Sequence, residues 1–329
     1  MLRLQNEITI GATTFNKVIN IEVDSSWKNL VDTCRIELPN NFTRDSRPIT
    51  VGQDGFFKRG DSVTVRAGYF PKKEIIFEGY IRRIYVDVII VIECEDEAFQ
   101  LKQNTITESV PNNSTLKTLI DKIKGNVQAE SIDAVIGKFR ATRVTPLQVL
   151  EELRRVLRLV SYIRDKVLRV GLAYYFDEAN EVKFDLEKNV MDSSGLEFID
   201  SSELLITVEG VAAQKDNTVI VRYAYWLDDE VVVSDDDPAR GERDTVRIDN
   251  ATQSTIDAFI KRHLENRLAT GIRGSFLAFL EPKVRHGDRV QLISKRFKER
   301  EGTFLVKRVV TRSGINGGEQ EIELDRKVA

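Results

Sequence analysis

Short segments in which apolar and polar residues alternate dominate both ends of the chain. In the first hundred residues they include Cys34–Leu38, Ser62–Ala67 and Val86–Glu95, with turn-forming residues between them. Alternation with a period of two is typical of half-buried antiparallel strands, because successive side chains point to opposite faces of a sheet. The sequence therefore predicts a β-rich region over residues 1–103.

The pattern becomes helical after this region. One amphipathic helix is predicted with Ser114 as its N-cap. A second is predicted to follow Thr145, where Pro146 suits the first helical position and Gln148 completes a capping box. Strands return near residue 160, so we predict a mixed α/β insert domain over residues 104–200. The apolar faces of the two helices consist of Leu116, Leu119, Ile120 and Ile123, and of Leu147, Leu150, Leu153, Val156 and Leu157.

The rest of the chain, residues 201–329, is again mainly β in its pattern. One helix is predicted to interrupt it at about 254–270, and Gly271 suits the position just after that helix. The apolar face of this helix consists of Ile256, Phe259, Ile260, Leu264 and Leu268.

A turn motif occurs once in each β-rich end. Residues 59–65 read Arg-Gly-Asp-Ser-Val-Thr-Val, and residues 286–292 read His-Gly-Asp-Arg-Val-Gln-Leu. Glycine permits turn conformations that a side chain opposes, and aspartate bonds to the backbone of a turn. We therefore expect Gly60-Asp61 and Gly287-Asp288 to form equivalent turns. The Arg-Gly-Asp tripeptide is also an adhesion motif, but its recurrence as His-Gly-Asp favours a structural turn.

Two further motifs follow each turn at similar spacings. A Glu-Gly pair, which contains Gly79 or Gly302, precedes an apolar-basic-basic-apolar step, and residues 90–96 and 320–325 then close each copy with a strand. Three motifs in the same order predict two copies of one small module. The basic residues, Arg82-Arg83 and Lys307-Arg308, are either ordinary exposed strand residues, or groups that meet acids on a neighbouring module or face a channel.

Together these patterns predict an α+β fold that is mainly β. It contains two similar tube-forming, β-barrel-like modules, at 1–103 and 201–329, with the mixed insert domain at 104–200 between them. A duplicated module allows three chains to present six similar modules around a ring, and cyclic symmetry permits such a ring to close.

Composition narrows the function classes. Acids and bases nearly balance, at 52 and 49 residues, so the basic excess typical of nucleic-acid binding is missing. Two cysteines, Cys34 and Cys94, are too few for a disulfide framework, and we expect both to be buried as small apolar residues. No apolar run reaches the roughly 20 residues of a membrane span, and the amino-terminal residues lack a signal-peptide core. We expect a soluble protein made in the cytoplasm.

The sequence contains none of the common catalytic motifs. The sequence has two histidines, His263 and His286, and lacks a nucleophile elbow, a phosphate-binding loop and a paired Cys-x-x-Cys. The acidic loop Asp235–Asp237 lacks the spacing of a calcium loop and is interpreted as a hairpin tip. We therefore predict no enzyme activity and no catalytic, metal or cofactor-binding residues, although carboxylates are too numerous to exclude a glycosidase pair by residue type.

A set of short motifs in the first module resembles a known group of proteins. The motifs are Phe56–Asp61, Val63–Val65, Gly68-Tyr69, Ile76–Ile81 and Glu93–Asp96. In these motifs the chain is similar to the first tube module of the phage late control protein D family, which includes baseplate hubs of contractile-tailed phages and the hub half of type VI secretion spike proteins. The resemblance extends, more thinly, over nearly the whole chain.

The resemblance implies a homotrimeric hub with a central channel, located in the tail baseplate of a virion and assembled in the bacterial host cytoplasm. Its implied partners are a trimeric spike protein, tail tube or tube-initiator proteins, baseplate wedge proteins and a tape measure protein. DNA is implied only in passage through the channel, and no stable membrane insertion is expected. The chain ends after its second module, so we expect the spike to be a separate protein.

Other functions remain open at this point. One is a tail-associated β-rich hydrolase or carbohydrate-binding module, and another is the equivalent hub of a non-contractile tail.

Overall fold

The structure is a computed structural model. It describes residues 3–328, apart from 40–41, 45–46, 50–56, 112–113, 137, 158, 172–179, 200–204, 214–217, 228–229, 248–251 and 269–270. Phe56, which contributes to the family resemblance, therefore lies outside the described residues. Strands far outnumber helices, which confirms the predicted mainly-β fold class.

The amino-terminal region contains nine strands. The segment Val86–Glu95 was expected to form one strand, but the chain turns at Asp87-Val88 and the segment belongs to two. The strands are β1 (Leu4–Ile10), β2 (Thr13–Phe15), β3 (Asn20–Ser26), β4 (Thr33–Pro39), β5 (Phe42–Arg44), β6 (Arg47–Ile49), β7 (Ser62–Tyr69), β8 (Glu74–Val86) and β9 (Ile89–Glu95).

A mixed α/β region follows, after a 3₁₀ turn at Glu97–Lys102. Its elements are β10 (Ile106–Val110), β11 (Ser114–Thr115), α1 (Leu116–Ile123), β12 (Gln128–Ser131), β13 (Val135–Ile136), β14 (Phe139–Val144), α2 (Pro146–Leu157), β15 (Val160–Arg164), β16 (Val167–Gly171), β17 (Glu181–Asp185), β18 (Val190–Asp192) and β19 (Leu196–Ile199).

The last region returns to strands. Its elements are β20 (Ile206–Ala213), β21 (Val219–Leu227), β22 (Glu230–Ser234), β23 (Glu242–Arg247), α3 (Gln253–Arg267), β24 (Gly271–Ala278), β25 (Arg289–Ile293), β26 (Gly302–Gly314) and β27 (Gly317–Lys327), with a 3₁₀ turn at Lys298–Arg300. Within the described part of the chain, no helix is both long and apolar enough to cross a membrane.

Helix α2 begins as its sequence predicts. The Gln148 backbone N–H donates to Thr145 Oγ1 at 3.3 Å, and the Thr145 N–H donates to Gln148 Oε1 at 2.8 Å, which completes the capping box. The prediction for its last turn was wrong, because Val156 and Leu157 are exposed at 48% and 44%. They lie in the final turn, beyond the residues that pack against the core.

Helix α1 is capped one residue later than predicted. Thr115 Oγ1 accepts a hydrogen bond from the Thr118 N–H at 3.2 Å. Ser114 is unsuited to this role because it pairs with Ile136 in a short antiparallel ladder. The predicted apolar face of α1 is buried and forms a core with α2 and the neighbouring strands, including Leu116, Leu119, Leu150, Leu153 and Val170.

The chain divides into two units. One consists of Met1–Leu196 with Gly274–Ala329, and the other of Glu197–Arg273. Residues 201–273 and 274–329, which were expected to belong to one module, therefore fall in different units. Within the smaller unit, the sheet order is β22-β21-β20-β23 and α3 packs on it. Its core includes Val208, Ala224, Ile256, Ile260 and Leu264.

A large sheet organises the other unit. Its order is β18-β24-β27-β26-β3-β4-β9-β8-β7-β1-β2, with β25 paired to β26 and β17. Strands from the two ends of the chain are therefore neighbours in one sheet, joined where β26 lies beside β3. Cys34 and Cys94 face each other in the β4–β9 ladder, and both are buried free thiols, as predicted. They share a core with Ile21, Ile36, Ile81 and Ile92.

Gly79 allows the strands of this sheet to approach closely. A Cβ added to Gly79 would overlap the backbone carbonyl oxygen of Glu95 in β9. We therefore expect Gly79→Ala to lower the free energy of unfolding by about 3 kcal/mol, because backbone atoms cannot move aside cheaply. Gly11→Ala is the matched control: space there is free, and only the positive φ of 55° opposes a side chain, at a cost of about 1 kcal/mol. Urea unfolding of both variants measures the difference, and equal losses would contradict the close approach.

Candidate assembly site at the junction of the two repeats

The turn at Gly60-Asp61 is defined by three hydrogen bonds. The Gly60 N–H donates to the Ile81 carbonyl at 2.9 Å, and the Ile81 N–H donates to the Asp61 carbonyl at 2.9 Å. The Asp61 side chain accepts from the Lys58 N–H at 2.9 Å. Gly60 has a φ of 90°, in a region that favours glycine. The turn therefore uses both of its motif residues.

The turn at Gly287-Asp288 repeats this pattern. The Gly287 N–H donates to the Val306 carbonyl at 2.8 Å, and the Val306 N–H donates to the Asp288 carbonyl at 2.9 Å. The Asp288 side chain accepts from the Arg285 N–H at 2.9 Å, and Gly287 has a φ of 86°. The two turns therefore have the same conformation and lead into equivalent strands. We call β7, β8 and β9 with their turn the first repeat, and β25, β26 and β27 with theirs the second repeat.

A β-bulge occupies the same place in each repeat. The β8–β9 ladder shifts register at Arg82, and the β26–β27 ladder shifts register at Lys307. A bulge leaves one residue of the strand unpaired and bends it. The basic residues therefore match between the repeats, Arg82 with Lys307 and Arg83 with Arg308.

The two Glu-Gly pairs do not match. Gly79 lies two residues before Ile81, and the residue two before the equivalent Val306 is Phe304, whereas Gly302 lies two residues earlier still. Their roles differ too. Gly79 permits contact with β9, while Gly302 begins its strand at a φ of 152°. The sequence motif is thus out of register by two residues here.

The repeats differ in what lies beside the long hairpin. Beyond its bulge, β26 pairs with β3 in an antiparallel ladder of seven residue pairs, from Arg308 opposite Ser26 to Gly314 opposite Asn20. Arg308 also forms a bidentate ion pair with Asp24, at 2.6 and 2.8 Å. The second repeat is therefore fixed to the amino-terminal part of the chain by both backbone and charge.

The other predicted basic residues have different surroundings. Arg82 lies 3.4 Å from the buried carboxylate of Glu95, within the first repeat. Lys307 pairs with Glu323, within the second. Arg83 is exposed and donates to the Tyr85 hydroxyl at 2.9 Å, and no ion pair to it is found among the described residues. Only Arg308 meets an acid on another part of the sheet.

A hydrogen-bonded chain of side chains lies beside this junction. Ser25 Oγ, at the end of β3, lies 2.5 Å from Asp32 Oδ2 and 2.7 Å from Nδ1 of His286, in the turn of the second repeat. The Asp32 N–H donates to Asp96 Oδ2 at 3.0 Å. The chain therefore links three segments that are far apart in sequence.

Burial perturbs the groups of this chain. It raises the pKa of Asp32 to about 7 and raises that of Asp96 well above its usual range. His286 is 3% exposed, and burial, helped by the positive charge of Arg164, lowers its pKa to about 3. The imidazole is therefore neutral at pH 7, and Asp32 retains a proton to higher pH than an exposed carboxyl.

The insert region is attached at the same place. Arg164, at the end of β15, forms a buried ion pair with Asp288 at 2.9 Å. Arg285 pairs with Asp165 at 2.8 Å, and Lys166 with Glu78 at 3.0 Å. A cleft of about 200 Å³ lies between these groups and the Asp32 carboxyl. The β15–β16 hairpin thus contacts both repeats.

The arrangement is not that of an activated nucleophile. Such a serine donates to a histidine, which a carboxylate orients from its far side. Here the carboxyl of Asp32 contacts Ser25 directly, and Nε2 of His286 has no hydrogen-bond partner among the described residues. No group of three or more potential metal ligands occurs in the described part of the chain either. The geometry suits a structural connection.

The remaining candidates lie in the smaller unit. His263 Nε2 is 3.2 Å from Asp244 and is partly exposed. In the acidic loop, Asp235 pairs with Arg222, and Asp237 pairs with Arg243 at 2.6 Å. These carboxylates are therefore balanced by arginines of the same unit.

Sequence reasoning missed Ser25 and Asp32 entirely. Ser25 is 261 residues from His286, and nothing local distinguishes either residue from an ordinary strand end or loop. The sequence indicates Asp96 only within the resemblance, and His286 only as a turn residue and as one of two histidines for which no catalytic motif was found. The pairing of strands from opposite ends of the chain was the missing information.

Comparison with solved structures identifies proteins of similar fold. A tail protein of Neisseria meningitidis MC58 superposes with a TM-score of 0.67 at 15% identity, over 98% of this chain and 97% of that one. The 43 kDa tail protein of prophage MuSo2 from Shewanella oneidensis gives 0.66 at 14% identity, over 98% of both chains. A type VI secretion component of Escherichia coli, reported to resemble T4 bacteriophage tail proteins, gives 0.57 at 8% identity, over 98% of this chain and 77% of that one.

These likenesses establish the fold. The chain has the fold of phage tail proteins and of a type VI secretion component, which confirms the predicted resemblance at that level. No protein-family model and no curated protein matches the sequence.

The raised pKa of Asp32 predicts a pH-dependent stability. A carboxyl whose pKa rises from 3.8 to about 7 on folding stabilises the protein fully below pH 3.8, and this contribution is lost as the pH rises to 7. Asp32→Asn removes the titration but keeps an oxygen that can accept from the Ser26 N–H. We expect the unfolding free energy of the wild type relative to Asp32→Asn to fall by up to about 1.4 kcal/mol per pH unit over this range.

Urea unfolding at a series of pH values measures this difference. Asp96 is present in both proteins, but the charge of Asp32 contributes to its raised pKa, so the difference reports the titration of the Asp32–Asp96 pair. The same substitution at the exposed Asp133 is the matched control. A difference between wild type and Asp32→Asn that does not change with pH would contradict the account of the buried chain.

Proposed function

We propose that this chain is the structural baseplate hub of a phage-type contractile tail. Three copies form a ring with pseudo-six-fold symmetry and a central channel. The ring joins the hexameric tail tube to a trimeric central spike. Its role is mechanical, and no residue is assigned to catalysis.

The observation that carries this proposal is the duplication. The two Gly-Asp turns share their hydrogen bonds and φ values, and the two long hairpins share a bulge. A chain with two similar modules can meet six-fold and three-fold partners at once, because three copies present six modules. The likeness to phage tail proteins over nearly the full length of both chains supports a tail as the setting.

The proposed partners follow from this position. A trimeric spike lies on one side of the ring, and tail tube or tube-initiator proteins lie on the other, with wedge proteins around the rim. The tape measure protein and DNA pass through the channel. The likeness to a type VI secretion component supports a spike as one neighbour. The protein is located in the tail baseplate after assembly in the host cytoplasm.

Two assignments within the ring belong to this proposal. Each chain supplies two tube modules, within residues 1–103 and 201–329, and the insert at 104–200 lies between them in sequence. Gly60, Asp61, Gly287 and Asp288 are the structural turns of these modules. Arg82 and Lys307 occupy their bulges.

The oligomeric state tests this function. We expect native mass spectrometry to give about three times the chain mass of 37.5 kDa, either for the protein alone or after addition of a trimeric spike. A chain that stays monomeric under both conditions contradicts the hub. If that monomer also cleaves cell-wall material, the function is that of a tail-associated hydrolase and not of a hub.

A further inference from the structure

One sheet edge in the first repeat lacks the neighbour that its counterpart has. In the second repeat, β25 covers the start of β26 on the side away from β27, and β3 covers the remainder of that side, from Arg308 to Gly314. In the first repeat, β7 covers the start of β8 up to Tyr80. Beyond the bulge, no strand of the described chain covers the same side of β8, at Arg83–Val86.

The exposed side chains agree with a missing neighbour. Tyr85 is 42% exposed, Val86 48% and Val88 82%. An open edge with apolar side chains is a template for pairing with another strand, and soluble proteins normally cover or charge such edges. Arg83 matches Arg308, whose guanidinium is held by Asp24, yet Arg83 has no ion pair in the described chain. Compared with β26, the end of β8 therefore lacks both a neighbouring strand and an acidic partner for its arginine.

The counterpart of β3 in the second repeat is β18. β3 pairs with β4, which pairs with β9 of the first repeat. Likewise β18 pairs with β24, which pairs with β27 of the second repeat. β19 pairs with β24 as well. β3 uses its other edge to hold β26, whereas the corresponding edge of β18 and β19 is open among the described strands. Each chain thus has two different open edges, one at Arg83–Val86 of β8 and one at β18 and β19.

We propose that Arg83–Val86 of one chain pairs with the open edge of β18 and β19 of a second copy of this chain, two short strands that both pair with β24. The ladder between β26 and β3 is the template for this contact. Acidic residues suited to Arg83 lie in these strands, Asp192 in β18 and Glu197 in β19. The contact is head-to-tail, because the two edges differ, and repetition of a head-to-tail contact closes a ring when the rotation permits. The inference rests on the proposed ring.

Hydrogen exchange of the full chain tests the edges directly. In the assembled protein we expect slow exchange at the backbone N–H groups of residues 83–86, 190–192 and 196–199 that point to the open edges, and fast exchange at the same groups after dilution to the monomer. Rapid exchange at residues 83–86 in a protein whose mass is that of the trimer overturns the edge contact but leaves the hub in place. A monomer at every concentration, with or without a trimeric spike, removes the hub and the edge contact together.

A charge reversal provides the second readout. We expect Arg83→Glu to weaken assembly at least about tenfold, because it places a like charge against the acids of the neighbouring copy. The melting temperature of each monomeric variant is measured alongside, because Arg83→Glu also removes the hydrogen bond to Tyr85 and places a glutamate opposite Glu93. Arg140→Glu, at an exposed arginine on β14, is the matched control and should assemble normally. Equal assembly of both variants contradicts the proposed contact.

Discussion

The ladder between β3 and β26 is the interaction on which the rest of the architecture depends. It joins strands whose paired residues, Asp24 and Val310 among them, lie almost 290 positions apart in the sequence. Seven backbone pairs place the second repeat in the same sheet as the first. Without this ladder, the sheet would divide between β26 and β3 into two smaller sheets, each with a further open edge.

Side chains reinforce the ladder in two ways. On the sheet, Arg308 and Arg312 pair with Asp24 and Glu22, which removes like-charge repulsion along the seam. Beside it, Ser25 connects Asp32 to His286, and the buried pair of Arg164 and Asp288 attaches the insert hairpin to the turn of the second repeat. The second motif aspartate therefore has two roles, since it shapes its turn and neutralises a buried arginine.

Local features were predictable from the sequence. The Gly-Asp turns depend on the conformation of one glycine and on one aspartate side chain, and the α2 capping box depends on residues three apart. The Glu-Gly motif did not predict equivalent positions. Gly79 is needed because β9 approaches it closely, whereas Gly302 is favoured by its own backbone φ. The contacts at the junction could not be predicted from the sequence, because the residues around Ser25 and Asp32 give no indication of which distant residues they contact. β20–β23 form a sheet of their own with α3 packed on it. Alternation of apolar and polar residues predicts strands, but it does not show which strands share a sheet.

The proposed hub requires each chain to carry two copies of one module, arranged so that three chains close a ring. Electron-microscopy class averages of the assembled protein show whether such a ring forms. The account predicts a ring with a central hole, three-fold symmetry and six similar densities around it. Averages that show a solid particle, or a ring whose number of similar densities is not twice its number of chains, would contradict it.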